Sequence, residues 1–324
     1  MNFKINTSIC LEKHTTTFLR FVLIICIMLN HYAGKVESIW LYPFLIGGYS
    51  AVALFFFLSG YGNFKSIDRK PLSSIWLLKR FGHIGFSFII VLLINFAFLA
   101  IVSNIGNSFF SYLFSLSIPG QTLWYVKVQL LLYIIFTLTF SFKASNETKS
   151  FFTILIVIVY IILLIGLDVE PYWYMTCVFF PFGIYFALYE NKIFKIIYKR
   201  IRPLSIVLGI ICFILFGVQF LFGDAGIGLA MDFLYEIFIS LFVITILMQI
   251  NIKSKIMEKI GNSSFELYMT HLVVLNILDY FCIDLTRIYV LFVWFISSIL
   301  LGVCVNTICR ILLDQMILHI RIKR

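Results

Sequence analysis

Charge is what this chain has least of. Only 12% of its 324 residues are Asp, Glu, Lys or Arg, whereas 62% are hydrophobic. Soluble domains are about 25% charged and about 45–50% apolar. A mean hydropathy of +1.04 therefore excludes a water-soluble enzyme or binding module and points to an integral membrane protein. Acidic residues are scarcer than basic ones, 15 against 25, which leaves a net charge of +10. In a soluble protein that excess would suggest nucleic acid. In a membrane protein it has another cause, because Lys and Arg accumulate in cytoplasmic loops, and no nucleic-acid partner is expected. The seven cysteines form no CxxC pair and lie mostly in apolar segments. They read as small hydrophobes, with neither a disulfide framework nor a metal site. No small-residue cleavage site follows the first apolar segment, so no removable leader is expected. No repeat of fixed period and no charged, soluble stretch breaks the chain, which reads as one domain over residues 1–324.

What is there is a succession of apolar segments. They fall at residues 17–34, 44–63, 84–102, 124–142, 151–167, 173–189, 205–222, 229–250, 263–282 and 288–309. Each is long enough for a helix across a core of about 30 Å when tilt is allowed. The expectation is an all-α integral membrane protein of about ten transmembrane helices, the sixth short and broken at Pro181. With the N-terminus inside, 21 of the 25 Lys and Arg residues lie in inside segments and only Lys35 and Arg287 lie outside. That asymmetry places both termini in the cytoplasm. The longest outside stretch, Ser103 to Thr122, has no charge and many aromatics ("SFFSYLFSLSIPGQT"). It reads as a re-entrant or interfacial segment against a cavity.

Ionisable residues inside such segments are rare and mark functional sites by default. The first segment, "FLRFVLIICIMLNHY", contains Arg20 and His31. Eleven residues at 100° each return His31 to within roughly 20° of Arg20, about 16 Å further along the helix. Both then look into one groove, although an arginine at the edge can also snorkel and a histidine can anchor an interface. Ser59 and Gly60 end the second segment near the cytoplasmic side, beside Lys79, Arg80 and His83 at the start of the third. Trp124, Tyr125, Lys127 and Gln129 open the fourth in the outer half, level with His31. Asp232 and Glu236 stand one turn apart in the eighth. The ninth carries Glu266 near the cytoplasm, then Tyr268, then His271 at mid-depth. Plainer roles compete: Lys127 snorkelling outward, Ser59 bonding its own helix, Glu266 assisting a helix start. His271 is too deep to reach water.

Five fragments in order resemble the integral membrane acyltransferase-3 family, bacterial enzymes that commonly O-acetylate cell-surface sugars. They are "LRFVLIICIMLNHY", an arginine, ten residues and a histidine; "AVALFFFLSGYG", an apolar run ending in Ser-Gly; "LWYVKVQLLLY"; "FFPFGIYFA"; and "IGNSSFELYMTH". The resemblance covers roughly residues 15–310 and includes no appended soluble domain. One departure stands out. After Lys79-Arg80 the family usually has a second arginine and then a proline, where this chain has His83 and Gly85-Phe86. That departure puts in doubt any cationic cluster beyond Arg80.

The resemblance implies a multi-pass protein of the bacterial cytoplasmic membrane that moves an acyl group, expected to be acetyl, from cytoplasmic acyl-CoA to a hydroxyl of a surface or lipid-linked saccharide. Acetyl-CoA would be a donor substrate, with no bound cofactor or metal. His31 is then the candidate base, or the group that takes the acyl itself, because imidazole titrates near neutral pH. Arg20 would hold the donor, since guanidinium suits phosphate recognition, with Arg80, Ser59 and Gly60 beside it. Trp124, Tyr125, Lys127, Gln129, Glu266, Tyr268 and His271 would line the cavity or meet the acceptor. A transporter or exporter of a polysaccharide precursor could use buried His, Arg and Glu as well, but neither an inverted repeat nor paired broken helices are visible.

Overall fold

The structure is a computed structural model that describes residues 11–36, 39–102, 109–118, 123–222 and 228–322. Among the described residues the chain is almost wholly helical and has no strand. Ten helices are long: α1 (Lys13–Ala33), α2 (Tyr42–Arg69), α3 (Ser74–Val102), α5 (Trp124–Ser141), α6 (Asn146–Gly166), α7 (Phe179–Ile197), α8 (Ile201–Phe222), α9 (Gly228–Leu247), α11 (Ser264–Tyr280) and α12 (Ile288–Ile322). Two are short, α4 (Phe109–Phe114) and α10 (Lys255–Asn262). Of the uncharged Ser103–Thr122 segment, α4 and the turn after it are seen, while residues 103–108 and 119–122 lie outside the described residues.

Among the described residues, seven helical stretches are long and apolar enough to cross a membrane. One of them, Phe179–Leu221, runs for 43 residues through α7 and α8. That is about twice what a bilayer requires, and Lys192, Lys195, Lys199, Arg200 and Arg202 occupy its middle. A 3₁₀ turn at Tyr198–Arg200 joins its two halves. The sequence expectation of a helix broken at Pro181 is corrected. The helix begins at Phe179, so Pro181 lies in its first turn, where a missing N–H leaves no helical bond unmade.

Burial separates the inner helices from the lipid-facing ones. The apolar window of α5 is 56% buried and that of α6 only 17%. Ile162 and Leu163 of α6 and Phe213 of α8 are largely exposed, a surface that is stable against hydrocarbon and not against water. The chain is thus an all-α, multi-pass membrane protein.

At the centre, α1 packs on α2, α10 and α11, while α12 packs on α3 and α11. The closest crossing is that of α2 with α7. A Cβ on Gly60 would stand on the Phe180 carbonyl, and one on Gly183 would stand on the Phe57 carbonyl. Small residues let backbones approach in this way where lipid offers no hydrophobic drive for association. A buried carboxylate reinforces the same pair. Glu190 of α7 meets Lys65 of α2 at 2.5 Å and accepts from the Tyr61 hydroxyl at 2.8 Å and from the Leu11 amide at 3.2 Å.

Candidate active site

The helix α1 presents its two ionisable residues to two different cavities. Arg20 lines a cavity of about 210 Å³, together with Ser59 of α2, Lys79, Arg80 and His83 of α3, Tyr125, Gln129 and Tyr133 of α5, and Arg310 of α12. His31 lines a larger one of about 560 Å³, with Asn30, Lys35, Tyr49, Trp124, Tyr172, Tyr268 and Asn276. The two meet at a pair of aromatic rings. Tyr125 belongs to the first cavity and Tyr268 to the second, and they pack edge to face with centroids 5.0 Å apart.

The Arg20 cavity is cationic. Arg20, Lys79, Arg80 and Arg310 converge on it, and among the described residues none of the four forms a salt bridge. Arg80 lies over the Trp76 ring, 5.7 Å from its centroid. Like charges brought together without counter-charges repel, so such a cavity is stabilised by an anion. Its far wall is neutral and hydrogen-bonded. Tyr125 donates to Gln129 Oε1 at 3.3 Å, Gln129 donates to Ser59 Oγ at 2.9 Å, and Ser59 donates to the Tyr133 hydroxyl at 3.1 Å. The plain alternative for Ser59, a bond to its own helix, is not what forms. The cationic cluster, in doubt beyond Arg80 on sequence grounds, is extended by Arg310 of α12, which joins Arg20, Lys79 and Arg80 in lining the cavity.

Beside this cavity lies a compact polar set. Glu266 accepts from Ser87 Oγ at 2.7 Å, its Oε1 is 3.1 Å from His83 Nε2, and His83 Nδ1 is 3.4 Å from Cys309 Sγ. Glu266 therefore ties α11 to α3, a larger role than assisting the start of its own helix. The ligand-type atoms of His83, Glu266 and Cys309 lie within 4.8 Å of one another. A divalent ion there would sit among the cations of the neighbouring cavity; Ser87 and His83 both meet Glu266 Oε1, and Oε2 has no hydrogen-bond partner among the described residues.

The His31 cavity is different in kind. Behind His31, and wholly buried, stands His271, with ring centroids 5.2 Å apart. His271 Nδ1 is 2.8 Å from the Leu267 carbonyl. That contact requires Nδ1–H and leaves Nε2 as a lone pair in the neutral ring. Nε2 has no hydrogen-bond partner among the described residues. Trp294 secures this turn of α11 by donating to the His271 carbonyl at 2.9 Å, and Tyr32 packs on Trp294 at 4.8 Å. Trp124 and Tyr172 lie 5.6 Å apart on the opposite wall.

Four other expected residues sit elsewhere. Lys127 points its ammonium at the Trp173 ring, 5.7 Å from the centroid, and lines neither cavity. Gly60 serves the crossing of α2 with α7. Tyr125 and Gln129, expected level with His31, line the Arg20 cavity instead. Residues that sequence reasoning missed are Tyr133, Arg310, Tyr49, Tyr172, Asn30 and Asn276. Only Asn30, adjacent to His31 in "LNHY", carried a local signal.

A profile of the acyltransferase domain of the acyltransferase-3 family matches residues 16–311, nearly the whole chain. The chain belongs to that family. Comparison with curated proteins and with solved structures gave no match. As an acyltransferase of this family, the protein must bring an acyl donor and an acceptor together within its helices. The two cavities that share the Tyr125–Tyr268 wall are candidate spaces for doing so.

Proposed function

We propose that this acyltransferase spans the bacterial cytoplasmic membrane ten times with both termini inside, and that it carries an acetyl group from cytoplasmic acetyl-CoA to a hydroxyl of a surface or lipid-linked saccharide. The observation that carries the reading is the pairing of cavities on one helix. The cationic cavity at the Arg20 end suits a phosphorylated donor, because charge-assisted bonds from Arg to phosphate are among the strongest available. The cavity at the His31 end suits a sugar. Trp124, Tyr172 and Tyr49 offer flat apolar faces, Asn276 offers a paired donor and acceptor, and Asn30, whose Nδ2 already donates to the Phe44 and Leu45 carbonyls, offers its Oδ1 as an acceptor. The basic-residue asymmetry puts the first cavity on the cytoplasmic side, so the nucleotide stays in water while its thin thioester arm enters the membrane.

In this reading the thioester carbonyl arrives past Tyr125 and Tyr268 at His31. His31 takes the proton of the acceptor hydroxyl as the oxygen attacks, the carbon–sulfur bond breaks, and the thiolate leaves to become a thiol by gaining a proton. The same ring can take the acyl group first and pass it on. His271 holds a neutral imidazole against His31 and presents a lone pair rather than a second positive charge. The test is direct. Purified protein with labelled acetyl-CoA should release CoA in proportion to added saccharide acceptor. Release that does not respond to any acceptor, with no label in saccharide, would overturn the proposal.

A further inference from the structure

A second opening adjoins the Arg20 cavity. Between α10 and α12 runs an open groove of about 440 Å³, lined by Lys255, Lys259, Asn262 and Arg310, with Glu258 and Asp314 as its carboxylates. Asn262 and Arg310 also line the Arg20 cavity, so groove and cavity adjoin at these two side chains. The cavity alone, at about 210 Å³, falls below the roughly 300 Å³ at which sites for small molecules begin. It has room for a slender chain and not for a nucleotide as well.

Arg310 stands at the junction and is held for the purpose. Its Nε donates to Asn306 Oδ1 at 3.1 Å, Asn306 Nδ2 donates to Ser263 Oγ at 2.8 Å, and Ser263 donates to the Lys259 carbonyl at 3.0 Å. One edge of the guanidinium is thus fixed to the protein, leaving its terminal amino groups for a bidentate partner. Neither Glu258 nor Asp314 forms a salt bridge among the described residues. Three cations face two carboxylates in the groove, and four cations face no lining carboxylate in the cavity beyond it. Positive potential therefore rises along the path inward, which draws an anion with a tether into one orientation.

We infer that the groove between α10 and α12 seats the phosphorylated nucleotide end of the acyl donor, with Arg310 gripping phosphate where the tether turns into the Arg20 cavity. This rests on the acyl-CoA reading above. The experiment compares acetyl-CoA with acetyl-pantetheine, the same thioester arm without the nucleotide and its phosphates. The wild type should prefer acetyl-CoA in kcat/KM. In Arg310→Gln, and in Lys255→Ala/Lys259→Ala, the KM for acetyl-CoA should rise by roughly tenfold to a hundredfold, as loss of charged hydrogen bonds implies. The preference over acetyl-pantetheine should shrink by the same factor, and Arg310→Lys should recover part of it. Equal losses with both donors, or an unchanged KM for acetyl-CoA in an active protein, would overturn the inference. A wild type that used neither donor would instead overturn the acyl-CoA reading itself.

Discussion

Gly60 and Gly62 lie two residues apart on α2, and alanine at each should act in opposite directions. Alanine improves a helix interior over glycine by about 1 kcal/mol, and at Gly62 nothing stands within 4 Å of the added carbon. Gly62→Ala is therefore expected to be neutral or stabilising by up to about 1 kcal/mol. At Gly60 the new carbon meets the backbone carbonyl of Phe180, which cannot rotate aside as a side chain can. The helices must part, and the reciprocal contact of Gly183 with the Phe57 carbonyl is lost with them. Overpacking of this kind costs about 1–3 kcal/mol or more, which outweighs the gain in helix propensity. Parting α2 from α7 would also move Ser59, whose bonds to Gln129 and Tyr133 line the Arg20 cavity. The assay is thermal unfolding of the detergent-solubilised protein, read alongside membrane yield. Gly60→Ala should melt several degrees below wild type, whereas Gly62→Ala should match or exceed it. Equal melting temperatures for the two variants would refute the close crossing.

His31→Ala should reduce transfer by roughly 10²–10⁴-fold with membrane yield unchanged, because the ring already borders open space; near-normal acetylation in cells would remove His31 from the mechanism. Arg20→Lys keeps the charge and loses the planar fork, so the KM for acetyl-CoA should rise while the protein stays in the membrane. Unchanged affinity combined with lost protein would make Arg20 a topological anchor. In sealed vesicles of known orientation, acetyl-CoA supplied on the cytoplasmic side should acetylate an impermeant acceptor on the other side. Transfer only when both share the cytoplasmic compartment would exclude delivery across the membrane.

Much of the fold was legible because a bilayer demands long apolar runs, and each of the ten stretches read from hydropathy falls on a long helix. The spacing of Arg20 and His31 was legible for the same reason, since a spanning segment has one regular geometry. The partners of these residues were not. Arg310 looked like one more cytoplasmic charge, and only the packing of α12 on α3 brings it to Arg80. Tyr49, Tyr172 and Asn276 come from separate helices or turns, and no local pattern distinguishes an aromatic that faces a cavity from one that faces lipid. Gly60 was read as a site residue from its place after Ser59, although its contact is with α7. Helical spacing reports which face a residue takes, while its partner is set by tertiary packing.

The placement of Arg20 and His31 on one uninterrupted helix makes the spacing of the two cavities a property of chain length. Any of the ten residues between them can change identity without moving the two apart. A single inserted residue, by contrast, would turn His31 by about 100° away from its cavity and lengthen the interval by about 1.5 Å. Four inserted residues would nearly restore the facing direction but add about 6 Å, which under the proposed acyl-CoA reading places the imidazole beyond the end of a donor arm whose length is set by its own covalent bonds. Buried Ile24, Ile27 and Met28 and the cavity-lining Asn30 restrict which side chains fit, but volume-conserving changes leave the interval intact, whereas insertion or deletion should not be tolerated.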